Sequence, residues 1–188
     1  MIVLYVTLVI IIIAIGQFFR PDLEVSWVQS DLDKQYYVVL NLPDKMLAAN
    51  QLASLRKKLA SFMDLQDSSH PGINRIRSRF TVLSESKPGS KYTSYTVDKS
   101  NIYMCVRERD EGGKLVDENT LFFVALHELA HIMTHSKGHT VEFWNNFRYL
   151  LDQAVKDGYY HYQPYHQDPK KYCGTYISDT PLKGSIRS

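Results

Sequence analysis

The chain has 188 residues, 44% of them hydrophobic, with 22 lysines and arginines against 20 acidic residues. That length suits one domain with a real core and a short appendage, and excludes a multidomain assembly. The near balance of charge gives no strong nucleic-acid signal, since a dedicated binder usually shows a broad basic stripe.

Residues 2–19, IVLYVTLVIIIIAIGQFF, carry no charge. At ~1.5 Å per residue they reach close to the ~30 Å hydrocarbon core of a bilayer, and they are apolar all round. The expectation is an N-terminal transmembrane helix: residues 1–20 as a single-pass anchor, and 21–188 as the domain it carries. A cleaved signal peptide is the rival, with Ala14, Ile15 and Gly16 suited to cleavage, although no lysine or arginine precedes the run. Arg20, the basic residue on its flank, favours a cytoplasmic domain.

Residues 25–30 and 35–40 alternate or are rich in aromatic and β-branched side chains, and read as two strands of a hairpin. Residues 44–64 read as a helix, with Leu47, Leu52, Leu55, Leu59 and Phe62 near helical spacing and Arg56, Lys57 and Lys58 on the solvated side. Arg75, Arg77 and Arg79 alternate, which would place them on one face of an exposed strand or loop. Contact with nucleic acid or an anionic substrate is the sharper alternative, but no aromatic residues interleave them. Residues 92–97 and 101–107 read as strands, and 103–107 is the candidate edge for pairing with an extended substrate. Cys105 in this strand and Cys173 in the tail read as packed thiols, which slightly favours a reducing compartment.

Two helices follow, at about 117–134 and 140–155. The first is apolar around most of its circumference and should be a buried central helix. It carries His127-Glu128-Leu129-Ala130-His131. Histidines four apart lie one above the other on one helical face, so their imidazoles can grip one metal ion. His135 is four further on, but His127 and His135 would stand about 12 Å apart on an unbroken helix. Zinc–nitrogen bonds of ~2.0–2.1 Å cannot bridge that. Gly138 is the natural place for the chain to turn, which makes His139 the better third ligand. Glu142 reads equally well as an outer hydrogen-bond partner or a solvated helix residue. Three protein ligands leave a fourth position for water, and Glu128 can act as its general base. The tail from Gly158 looks irregular, apart from an ordered stretch at 172–177, and His161 and His166 in it read as surface or packing residues.

Leu126-His127-Glu128-Leu129-Ala130-His131, followed by Gly138-His139-Thr140-Val141-Glu142-Phe143-Trp144, resembles the WLM and SprT-type zinc metallopeptidases. The likeness covers about residues 115 to 157. It implies His127, His131 and His139 as zinc ligands and Glu128 as the catalytic base. Seven residues separate His131 from His139, between the usual spacings of the two groups, so the resemblance does not choose a subfamily. The crosslinked-DNA substrates of those families do not carry over, because the chain shows no added binding element for them. Residues 48–53, 119–121 and 172–174 also make the whole chain similar to membrane-anchored, WLM-like proteins of large eukaryotic DNA viruses.

The combined expectation is an α+β fold: a small mixed or antiparallel sheet packed on a buried zinc-binding helix, minimally zincin-like, behind an N-terminal transmembrane helix. The expected function is a membrane-anchored zinc metallopeptidase that hydrolyses peptide bonds through a zinc-activated water, with a protein or peptide as substrate. Viral capsid or membrane proteins would be its partners, and a virion inner membrane or capsid its place. One alternative is a structural virion component on the same scaffold. Another is a zinc amidase acting on non-protein bonds.

Overall fold

The computed structural model describes residues 24–109 and 113–182. In chain order the elements are β1 (Val25–Gln29), β2 (Tyr36–Leu40), α1 (Lys45–Asp64), α2 (Pro71–Arg79), β3 (Val82–Glu85), β4 (Tyr95–Val97), β5 (Asn101–Met104), α3 (Glu118–Met133), α4 (Val141–Lys156), β6 (Lys170–Tyr172) and β7 (Thr175–Ile177). Helix α3 contacts α1, α2, α4 and the strands β4 and β5. Its residues from Leu121 to Leu126 are all buried, as a helix without a polar face requires. Phe62 of α1 meets Phe122 edge-on at 5.9 Å, and Phe123 meets Phe147 of α4 at 5.2 Å, so aromatic pairs join the helices.

The fold is α+β, but it departs from the expected class in two respects. The sheet is divided into three small ones: the antiparallel pair β1–β2, a three-stranded sheet in the order β3-β5-β4, and the antiparallel pair β6–β7. And no helix among the described residues is long and apolar enough to cross a membrane. The spanning helix expected over 2–19 lies outside the described residues, and neither it nor the membrane localisation drawn from it is supported.

Strand β5 runs parallel to β3 on one side and antiparallel to β4 on the other. It is therefore the centre of its sheet. The substrate-pairing edge expected at 103–107 is corrected: the strand at the margin beside α3 is β4. The buried guanidinium of Arg107, just past β5, bonds Glu85 of β3 (Nε to Oε1, 2.8 Å) and Asp44 ahead of α1. Glu85 Oε2 accepts the Leu40 amide at 2.7 Å, which ties the first hairpin to the central sheet through paired buried charges.

The arginine run is helical, not extended. Pro71 occupies the first turn of α2, and His70 Nδ1 accepts the amides of Gly72 and Ile73. Ile73 and Ile76, three apart, are its buried face. Arg75 donates to the Ile132 carbonyl at the end of α3 (2.8 Å), and Arg77 donates to Met63 and Gln66 at the end of α1 (2.6 and 3.0 Å). Both complement the negative ends of helices. Arg79 donates to the carbonyls of Asp98 and Lys99.

The cysteines are also corrected. Cys105 and Cys173 form a disulfide, across 68 positions of sequence. It pins the β6–β7 hairpin, whose two turn residues Cys173 and Gly174 have φ of 54° and 82°. That double left-handed turn matches the twist of a tight hairpin.

Candidate metal centre

The Asp117 carboxylate caps α3 by accepting the Thr120 amide at 2.9 Å, and the helix then runs unbroken through His127 and His131. It ends at Thr134, which is extended. The chain reverses through Gly138 at φ 79° and enters α4 with Thr140 as cap, its Oγ1 accepting the Phe143 amide. This turn swings His139 back over the helix it has just left.

His139 Nε2 lies 3.1 Å from His127 Nε2 and 3.2 Å from His131 Nε2. Bonds of ~2.0–2.1 Å at tetrahedral angles need nitrogens roughly 3.3 Å apart, so the three imidazoles fit one zinc ion. They are the one three-residue group of metal-type donors among the described residues. Burial pushes the His127 and His131 imidazoles down, to about 3 and about 4, and lowers His139 as well. All three are thus neutral at pH 7, the form that donates a lone pair. Phe143 packs against the three rings, with centroids 4.9, 4.3 and 4.6 Å away. His135 does not join them: it is exposed, and its backbone amide donates to Glu142. The His161 backbone exchanges hydrogen bonds with the Asn119 side chain, away from the site.

Glu128, between the ligand-type histidines, is only 3% exposed. Burial raises its carboxyl to about 7, partly offset by the Thr96 hydroxyl, which donates to Oε2 at 2.7 Å. Thr96 comes from the margin strand β4. A cleft of about 610 Å³ opens between that strand and α3, and the three histidines, Glu128, Tyr95 and Thr96 line it.

Two side chains hold the turn that carries His139. Lys99 Nζ donates to the carbonyls of His131, Thr134 and Ser136 at 3.1, 2.5 and 2.6 Å. The Glu142 carboxylate accepts the amides of His135 and Ser136 at 2.8 and 3.1 Å, and the Ser136 hydroxyl at 2.7 Å. A cation thus binds the turn's carbonyls and an anion binds its amides. Neither Thr96 nor Lys99 stands out in the sequence. Lys99 sits in a polar turn at φ 52°, and only its distant partners reveal its use.

No family model matches the chain. It is 34% identical over 194 residues to the uncharacterized protein R325 of Acanthamoeba polyphaga mimivirus, covering 97% of this chain and 98% of that one. It is also 34% identical over 90 residues to the uncharacterized protein 136R of Invertebrate iridescent virus 6, covering 47% of this chain and 51% of the other. Among solved structures it resembles Wss1 from Saccharomyces cerevisiae, with a TM-score of 0.51 and 22% identity over 64% of this chain and 88% of that one. That likeness is one of fold: the described chain has a Wss1-like fold. Near end-to-end similarity settles kinship as well: the chain belongs to the family of the mimivirus protein R325.

Proposed function

We propose that this chain is a zinc metallopeptidase that cleaves peptide bonds in a protein or peptide substrate. The observation that carries the reading is the convergence of three neutral imidazole nitrogens beside a buried carboxyl with raised proton affinity. His127, His131 and His139 would hold the ion. Zinc bound there would polarise the scissile carbonyl and draw the pKa of water down toward 7.

The chain's own residues do the rest. Glu128 lines the same cleft as the histidines, on the helix that bears two of them. Its carboxylate takes the proton of the attacking water and returns it to the leaving amine. Burial raises the proton affinity of Glu128 above that of an exposed carboxylate, the direction a general base needs near neutral pH, and the charge of a bound cation would act against it. Thr96 fixes one carboxyl oxygen and leaves the other for water. Phe143 keeps the imidazoles in place and excludes solvent from behind them.

Glu128→Gln should keep one equivalent of zinc and the wild-type unfolding midpoint while losing about 10²- to 10⁴-fold in hydrolysis of casein. Metal analysis beside the cleavage assay reads both. Loss of zinc in this variant would show that Glu128 is a ligand or a structural group.

The viral sources of the similar proteins favour a second reading, a structural virion component on the same scaffold. Wild type and Glu128→Gln would then be equally inert on every substrate, and virus carrying Glu128→Gln would assemble normally.

A further inference from the structure

Behind the metal cleft lies a second cavity, of about 260 Å³. The two share Ser94, His127 and Glu128 as lining residues, so they adjoin at the proposed general base. Helix α3 contributes Phe123 and Val124 to its wall, α4 contributes Trp144 and Phe147, and the C-terminal hairpin contributes Tyr172 and Ile177. Phe147 and Tyr172 are only 2% exposed and form a rigid floor, whereas Trp144 is 43% exposed. The hairpin wall is fixed from outside by the Cys105–Cys173 disulfide. From inside, Tyr172 Oη bonds the Cys105 carbonyl at 2.9 Å and the Ser94 hydroxyl at 2.6 Å.

The volume falls below the ~300–1,000 Å³ typical of whole small-molecule sites, and so suits one side chain. Half of its lining residues are aromatic or aliphatic, none is a lysine or arginine, and besides Glu128 its carboxylate is Asp179. An acidic side chain would enter without a partner and against like charge.

We propose that this cavity receives one large apolar side chain, from the substrate residue immediately beside the bond to be cut. The inference rests on the peptidase reading, and supplies the substrate preference that reading lacks. A main chain paired along β4, whose Thr96 bonds Glu128, would bring its reacting carbonyl before that carboxyl, and the cavity adjoins the cleft at the same residue. The C-terminal hairpin, outside the motif region, thereby becomes part of the specificity apparatus.

The test uses the zinc-loaded chain and three dipeptide hydroxamates that differ in one side chain: isobutyl, methyl or carboxyethyl. The hydroxamate head binds the metal, so affinity reads the cavity without any turnover. Isothermal titration should show isobutyl at least about tenfold tighter than methyl, as expected for added methylenes in an apolar pocket, with carboxyethyl the weakest. Ile177→Trp, which fills the outer wall, should abolish the isobutyl advantage and leave the methyl compound's affinity unchanged. Thr175→Trp, at an exposed position on the same wall, gives a second filling variant if the first unfolds. Equal affinity for isobutyl and methyl in wild type overturns the pocket. Zinc binding with no affinity for any hydroxamate overturns the peptidase reading beneath it.

Discussion

Lys99 and Glu142 grip the turn between His131 and His139 by opposite poles of its peptide groups, through hydrogen bonds to backbone carbonyls and amides, while the Lys99 charge also acts on the His131 imidazole. Because the turn they hold carries His139, the larger part of their effect on a metal should pass through that ligand. Replacing Lys99 by methionine should weaken zinc binding about 10- to 100-fold, the usual effect of losing an outer partner. In a His139→Ala background the same replacement should have little further effect, since the ligand it positions is gone. Competition titrations with a chromophoric chelator measure both; additive losses would show that Lys99 merely supports the fold. Glu142 makes a prediction about pH. Its hydrogen bonds to the His135 and Ser136 amides and hydroxyl hold its carboxyl down at about 2, against the usual 4.5. A depressed carboxylate stabilises the folded state fully above its unfolded value, and that contribution fades as pH falls from about 4.5 through about 2. The Glu142 carboxyl resonance should thus titrate near 2, and Glu142→Gln should lose the part of the acid-unfolding slope that falls in this window. A midpoint close to 4.5 would mean that the turn is not clasped.

At the scale of elements, local pattern served where one period dominated. In α4 the stripe Phe143, Phe147, Leu150, Leu151 and Ala154 is buried throughout, and α3 is buried as its unbroken apolar character requires. In α1 the stripe begins later than its sequence implies, because Leu47 is 57% exposed while Leu52, Leu55, Leu59 and Phe62 are buried. Helix α2 was hidden by its arginines, whose alternation imitates a strand. Pro71, the cap at His70 and the Ile73–Ile76 spacing are the signals of the true structure, but a nine-residue helix gives a period little room to show. Gly72 marks how tightly α2 packs on α3: a Cβ there would lie 2.5 Å from Met133 Cε and 2.7 Å from Cγ. Gly72→Ala should therefore destabilise the fold by about 1–3 kcal/mol in urea unfolding, although alanine is the better helix former. A gain in stability would show that Met133 moves aside freely. Removing the α3 cap with Asp117→Ala should lower stability by about 1 kcal/mol, since the Thr120 amide loses its acceptor.

For the molecule as a whole, the disulfide joins the end of β5 to the C-terminal hairpin, and so closes the tail onto the central sheet and the zinc-type helix. Constraining a loop of 68 positions corresponds to about 4 kcal/mol in the chain-entropy account. Reduction, or Cys105→Ser with Cys173→Ser, should lower the unfolding midpoint and speed hydrogen exchange in β6 and β7 before the rest; unchanged exchange there would sink the tether. The sequence by itself determined the two histidines on one helical face, the turn at Gly138 that returns His139, and the glutamate between. These depend on helical pitch and on the reach of a few residues of chain, which are local quantities. Only the tertiary structure decided that β5 is central and β4 marginal, that Cys105 pairs with Cys173, and that Thr96 and Lys99 meet α3 from about 32 positions away. It also decided that a hairpin from the far end of the chain walls the second cavity. Such neighbours are chosen by packing between elements remote in sequence, and a single side chain carries no local mark of the partner it will meet.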